Sequence, residues 1–242
     1  HCEQHKYAQM LLHKVEMSGL CEIRKGRTVL SAKDGDDGVT IVADGPNGQE
    51  SETGRYLIGC DGGRSAVRHA MGVSFEGQTF EERFLVLTTP FDYAPYGFGG
   101  TCYIADPVRW YSMFKVPADG PPGRWRVVSP VTPETSEAEA FDDDQCQARI
   151  QAVLAHPEGG DFPILHKNIY QVHQRIAGSF ASGNIFLAGD AAHINNPLGG
   201  MGLNFGIHDA INLSDKIGAV YRGDATGEIF KLYDRQRRTV AE

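Results

Sequence analysis

The stretch GDAAHINNPLGGMGLN, residues 189–204, constrains this chain more than any other. Four apolar residues, Ile185 to Ala188, run straight into it, and an amphipathic pattern leaves it. The reading is a buried strand, a glycine-rich turn and a helix start. Gly199, Gly200 and Gly202 remove the side chains that would keep a flat ligand off the backbone. Such a turn also brings N–H groups to a helix N-terminus, where an electron-rich or anionic ligand is favoured. The bland alternative is a tight structural turn, with Asn195-Asn196-Pro197 as ordinary turn chemistry. A bare reversal needs far less glycine than this one holds, so a ligand cradle is the preferred reading. Gly189-Asp190 at the strand end, Pro197, and Asn204 and Asp209 in the following helix belong to the same pattern.

A second corner has the same logic. Tyr56 to Cys60 is a short apolar run that ends in Asp61-Gly62-Gly63 and leads into Arg64 to Arg68. A buried parallel strand feeding a helix fits best. A carboxylate and glycines at a strand's C-terminal end lie where open α/β sheets take ligands.

The rest of the chain supplies a frame. Tyr7, Leu11, Leu12 and Val15 fall on one face of a helix over 4–15. Strand-like runs at 27–31 and 39–42, with turns at 34–38 and 45–48, suggest an antiparallel meander. From 73 to 176 the texture changes. Tyr103, Trp110, Tyr111 and Phe114 alternate with polar residues, and 125–131 repeats the pattern, as in a second, mainly antiparallel sheet. These aromatics are read as sheet packing rather than substrate contacts. Pro117 to Gly123 is a turn. A helix over 144–155 has an acidic start and a face of Ile150, Val153 and Leu154. His166 and His173 flank a further strand-like run. Ala210, Leu213, Ile217 and Val220 share a helical face that Gly223 ends. A last helix carries Ile229, Leu232 and Tyr233, with Lys231, Arg235, Arg237 and Arg238 read as a solvated face. The fold class is α/β, mixed with α+β. Residues 1–72 and 177–242 form one domain, and 73–176 form a sheet domain inserted into it.

Composition narrows the functional classes. The net charge is −8 over 242 residues with no basic tract, which argues against nucleic acid or an anionic membrane surface as partner. No apolar run approaches the length of a membrane span. Cys2, Cys21, Cys60, Cys102 and Cys146 form no C-x-x-C pair and suit a reducing, cytoplasmic setting. His1, Cys2 and His5 lack the further ligand that a structural zinc site needs, so no metal is expected. Oligomeric state is not legible.

GDAAHINNPLGGMGLNFGIHDAINL resembles the second flavin-binding motif of the class A flavoprotein monooxygenases, relatives of para-hydroxybenzoate hydroxylase. CDGGRSAVR is similar to that family's Asp-Gly motif. The two occur in the family's order with a strand-rich segment between them, and GNIFLAGD and YDRQRR also fit. The resemblance implies an incomplete Rossmann-like FAD-binding domain over 1–72 and 177–242, and a substrate-binding sheet over 73–176. It implies that Gly189 and Asp190 meet the ribityl or ribose part of FAD. Pro197, Gly199, Gly200, Met201, Gly202, Leu203 and Asn204 would lie along the isoalloxazine ring. Their N–H groups would favour negative charge at the reduced ring. Pro197 would stand near the site of oxygen addition. Asp61 and Gly62, supported by Arg68, would contact FAD or NAD(P)H, and Gln4 matches a flavin-contacting glutamine. His193 has two readings, a structural hydrogen bond or a proton-transfer role.

The implied activity is FAD-dependent hydroxylation of a small phenolic or heteroaromatic substrate, with NADH or NADPH and O2. Flavin-dependent epoxidases and tailoring oxygenases share both motifs and form the runner-up. A non-catalytic remnant and a flavin reductase without oxygenation are the further alternatives. The chain departs from the family at one point: G-x-G-x-x-G, which holds the ADP pyrophosphate, is absent. Gly200 and Gly202 come closest, with Phe205 in the third place. The N-terminal βαβ unit is therefore expected upstream of His1. The isolated chain is expected to bind FAD weakly or not at all.

Overall fold

The computed structural model describes residues 2–107, 109–154 and 162–242. The chain begins with α1 (Gln4–Ser18), β1 (Thr28–Gly35), β2 (Gly38–Gly45), β3 (Gly48–Gly54), β4 (Leu57–Gly59) and α2 (Ala66–Ala70). It continues through β5 (Phe75–Thr89), β6 (Thr101–Ile104), β7 (Tyr111–Val116), β8 (Arg124–Val131), α3 (Glu137–Ala140) and α4 (Asp143–Gln151). It closes with β9 (His166–Ala177), β10 (Ala181–Ser182), β11 (Ile185–Leu187), β12 (His193–Ile194), α5 (Met201–Arg222) and α6 (Ile229–Ala241). These elements form two compact units, residues 24–79 with 173–242 and residues 1–23 with 80–172. Helix α1 thus groups with the second of these.

In the first unit, β1, β2 and β3 form the expected antiparallel meander, reversed at Gly35/Gly38 and Gly45/Gly48. Gly38 has φ +118°, and a Cβ there would stand 2.5 Å from Gly54 O, so the first reversal admits only glycine. Asp34 anchors the meander by accepting from Asn184 N at 2.8 Å and Asn184 Nδ2 at 3.0 Å. Strand β4 pairs in parallel with β11, Leu57 opposite Ile185 and Gly59 opposite Leu187, and β10 completes a three-stranded sheet. The apolar run read in β11 is indeed a buried strand: Ile185, Phe186 and Leu187 are all enclosed. Phe180, Leu213, Phe230 and Tyr233 pack in the same core, and Tyr233 Oη donates to Leu187 O at 2.6 Å. Helix α5 thereby covers the strand with Leu213, and α6 with Phe230 and Tyr233. Gly223 closes α5 in the left-handed conformation, as the sequence suggests.

The second unit is built on the β5-β8-β7-β6 part of a six-stranded sheet of order β12-β9-β5-β8-β7-β6, in which β12 pairs antiparallel with the end of β9 that belongs to the first unit. One face packs Leu85, Leu87, Met113, Trp125 and Val127 with Cys146 and Ile150 of α4. The other face is aromatic: Phe84, Val128 and Val172 sit with Trp110, Phe114 and Tyr170, and the Phe84 and Trp110 rings meet edge-on at 4.9 Å. Trp110, Tyr111 and Phe114 are therefore packing residues, whereas Tyr103 is 55% exposed. His166 is exposed, and His173, in the first unit, shares a 2.9 Å hydrogen bond with Thr79 Oγ1.

Several elements differ in detail from expectation. Helix α1 forms, yet none of its residues is fully buried: on the expected apolar face Tyr7 and Leu12 are half-buried, and Leu11 and Val15 are exposed. Helix α4 starts at Asp143 because the Asp142 side chain caps it by accepting from Gln145 N. Ala155, the expected end, lies outside the described residues. A short helix, α3, was not expected; Ser136 and Glu139 close a reciprocal capping box at its start. Strand β5 is a single run of 15 residues. Gly77 lets it continue at φ +137°, where a Cβ would come within 2.0 Å of Gln174 O.

Candidate cofactor-binding site

Because β4 and β11 are adjacent and parallel, the turns that follow them stand side by side. After β4, Gly62 adopts φ +78° and reverses the chain. Asp61 Oδ2 accepts from Val67 N at 3.1 Å, and Ser65 Oγ accepts from Arg68 N at 2.9 Å, which together start α2. Arg68 is 4% exposed. Its guanidinium donates to Gly63 O at 2.7 Å and to Ala191 O at 2.9 Å, and stacks 3.7 Å above the Phe75 ring. Burial pushes its pKa down, but a guanidinium stays charged. Arg68 is thus the rivet between the Asp61 turn and the Asp190 turn. Gly63 keeps the two close, since a Cβ there would fall 2.5 Å from Ile194 Cδ1.

After β11, Gly189 turns at φ +61° and Asp190 is exposed. Asp209 of α5 is fully buried behind this turn. Its Oδ2 accepts from Gly189 N at 2.9 Å and from His193 Nε2 at 2.8 Å, and its Oδ1 accepts from Arg237 Nε at 2.6 Å. Burial opposes the Asp209 charge, yet the bonds from His193, Arg237 and Gly189 hold its carboxyl below the usual aspartate value. His193 is 2% exposed, and its Nδ1 lies 2.8 Å from Asn195 Oδ1. Both ring nitrogens are therefore engaged by protein oxygens.

The glycine-rich turn itself is open. Pro197 to Met201, Leu203 and Asn204 are exposed, and Gly199 and Gly200 take φ +94° and +68°. No side chain caps the first turn of α5. A Cβ built on Gly200 or Gly202 would meet no protein atom within 4 Å. Gly202 is helical, so neither its backbone conformation nor packing among the described residues requires a glycine there. Leu198, Met201 and Leu203 offer apolar shoulders around uncapped N–H groups, and Asn204 Nδ2 donates back to Gly200 O at 2.8 Å. A flat ring with an electron-rich edge fits this surface, with the exposed Asp190 carboxylate nearby in sequence for hydroxyl groups. Gln4 lies in α1 of the other unit.

One functional side chain was misjudged from sequence. Arg237, read as part of a solvated basic face, is buried against Asp209 and also donates to Phe205 O at 3.3 Å. The signal was present: Phe230, Tyr233 and Arg237, spaced 3 and 4 apart, are the buried residues of α6. His1 lies outside the described residues, and among the described residues no three His, Cys, Asp or Glu cluster as a metal site would require.

A model of the FAD binding domain matches residues 1–242, and the chain belongs to that family. It is 37% identical over 217 residues to a 3-(3-hydroxy-phenyl)propionate/3-hydroxycinnamic acid hydroxylase of Mycolicibacterium smegmatis, covering 90% of this chain and 37% of the relative. It is 34% identical to the para-nitrophenol 4-monooxygenase of Pseudomonas sp., covering 90% of this chain and 53% of that one. The crystal structure of p-nitrophenol 4-monooxygenase from Pseudomonas putida superposes with a TM-score of 0.90 at 31% identity, over 99% of this chain and 60% of the other. A ternary complex of aklavinone-11 hydroxylase with FAD and aklavinone gives 0.83 at 29% identity, over 99% and 45%. The chain therefore spans between about a third and three-fifths of these relatives.

Proposed function

We propose that the full-length protein is an FAD-dependent monooxygenase that hydroxylates a small aromatic substrate, phenolic or heteroaromatic, with NADH or NADPH and O2. The observation that carries this reading is the uncapped, glycine-lined start of α5 beside two parallel strand ends. Bound FAD supplies the redox chemistry, accepting a hydride and activating O2. The protein supplies position and field. Asp190 receives hydroxyls of the ribityl or ribose part. The N–H groups at Met201, Gly202 and Leu203, with the α5 dipole, stabilise negative charge on the ring. Pro197 would border the ring face open to O2. Asp61 and Gly62 form the adjoining contact, which Arg68 holds in place, and Gln4 is a further flavin contact.

Residues 1–72 and 177–242 serve the flavin in this reading, and 73–176 serve the substrate. Names of relatives support the substrate class, since those proteins act on hydroxyphenylpropionate and para-nitrophenol. A tailoring oxygenase is the second reading, favoured by 32% identity to a Streptomyces rimosus anhydrotetracycline 6-monooxygenase. No described helix is long and apolar enough to cross a membrane. We place the protein in the cytoplasm on its five unpaired cysteines.

Full-length protein given NADH, O2 and a panel of phenols is expected to yield products one oxygen heavier by mass spectrometry. NADH oxidation without such a product would point to a reductase instead. The isolated chain, lacking a pyrophosphate-binding loop, is expected to leave FAD fluorescence unquenched at micromolar concentrations; submicromolar affinity would contradict this.

A further inference from the structure

The charges behind the Gly189 turn have a stoichiometry that the flavin reading does not use. Asp209 Oδ2 and Asn195 Oδ1 flank the two nitrogens of His193, each at 2.8 Å. The Asp209 carboxylate takes one ring N–H from either form of His193, but only the imidazolium donates to Asn195 Oδ1 as well; a neutral ring requires the Asn195 amide to turn its Nδ2 toward Nδ1. Phe180 stacks on the ring at 5.7 Å and Phe205 lies edge-on at 6.0 Å, so no water shell competes for these bonds. Arg237 neutralises the other Asp209 oxygen and ties it to Phe205 O. Through Asp209 the same cluster holds Gly189 N, and through His193 it holds Asn195, two residues before Pro197.

We propose that Asp209 and Arg237 are positioning residues that keep His193 as an imidazolium, and that this charged cluster sets the Asp190 turn and the Pro197 loop in one frame, so that the grip on FAD weakens when His193 loses its proton. This rests on the flavin reading.

The groups facing the cluster agree with it. Asp209 comes from α5, Arg237 and Tyr233 from α6, and Cys60 from the end of β4. Burial and the Asp209 charge push the Tyr233 hydroxyl up, so it stays protonated across neutral pH. Burial alone would lower the His193 pKa; the Asp209 hydrogen bond and charge and the Asn195 contact outweigh it, against Arg237, and the net direction is up from 6.5. With a raised value, the contribution is complete below the free-imidazole range and fades as pH rises through the folded value.

The test uses the full-length protein. With 15N-labelled histidine, the resonance pair lost in His193→Gln is expected to show both ring nitrogens protonated at neutral pH; a singly protonated ring would overturn the proposal. FAD dissociation constants between about pH 6 and 9, short of the lysine and tyrosine range, form the second arm. Wild type is expected to weaken about tenfold or more as pH rises, and Asp209→Asn to lose about a hundredfold in affinity. His193→Gln is expected to bind less tightly but with no such pH dependence. If Asp209→Asn does not fold, the wild-type and His193→Gln profiles carry the comparison. Bound FAD with a flat wild-type profile, or the same slope in His193→Gln, would sink the role of the cluster alone. A protein that bound no FAD at any pH would sink the flavin reading and this use of the cluster with it.

Discussion

Gly202→Phe in the full-length protein is expected to abolish flavin retention while the fold survives. Gly202 lies in the first turn of α5 with helical backbone, and a Cβ there meets no protein atom within 4 Å. Replacing a helical glycine by phenylalanine gains a few tenths of a kcal/mol, about 0.3–0.5, in helix propensity before any contact is considered. The introduced ring would occupy the space assigned to the isoalloxazine, and an affinity loss of more than about a hundredfold is expected. Absorbance at the flavin bands and a melting curve, taken together, check both halves. A yellow protein with normal NADH oxidation would refute the placement of the flavin. Gly200→Val is a poorer probe, because φ +68° adds about 1–2 kcal/mol of backbone strain for any L-residue.

Arg68→Met is expected to give the largest stability loss near the site, about 3 kcal/mol. Methionine keeps the apolar stem beside Phe75 but removes the donors to Gly63 O and Ala191 O. Each buried carbonyl left without a donor costs about 1–3 kcal/mol, and the two turns lose their only shared side chain among those described. Lysine is not a conservative replacement, because one ammonium does not reproduce the guanidinium fork that spans both carbonyls. The denaturant midpoint measures the effect. A change below about 1 kcal/mol would show that water or a backbone shift replaces the fork.

Local chemistry made much of this architecture legible. Asp-Gly and Asn-Gly turns marked the meander, the 3-4-3 spacing from Ala210 marked α5, and glycine next to a strand end marked both corners. What stayed hidden was non-local. Nothing near Arg237 in the chain announces Asp209 as its partner, since the pairing exists only once α5 and α6 pack. The same holds for Arg68, whose acceptors lie in two different turns. Strand β5 is not legible because Gly77 and Gln78 interrupt the alternation of its sequence. Helix α3 was readable from Ser136 and Glu139, but a helix of 4 residues is too short for periodicity to flag.

The two strands that end at the corner come from distant parts of the chain: β4 finishes at Gly59 and β11 at Leu187. Everything between them is an excursion whose entropic toll rises only logarithmically, by about 0.6 kcal/mol for each doubling in length. The stretch beyond α2 can therefore change in length at little entropic cost while β4 and β11 keep their parallel pairing, which in the proposed function would let substrate preference vary apart from the flavin corner.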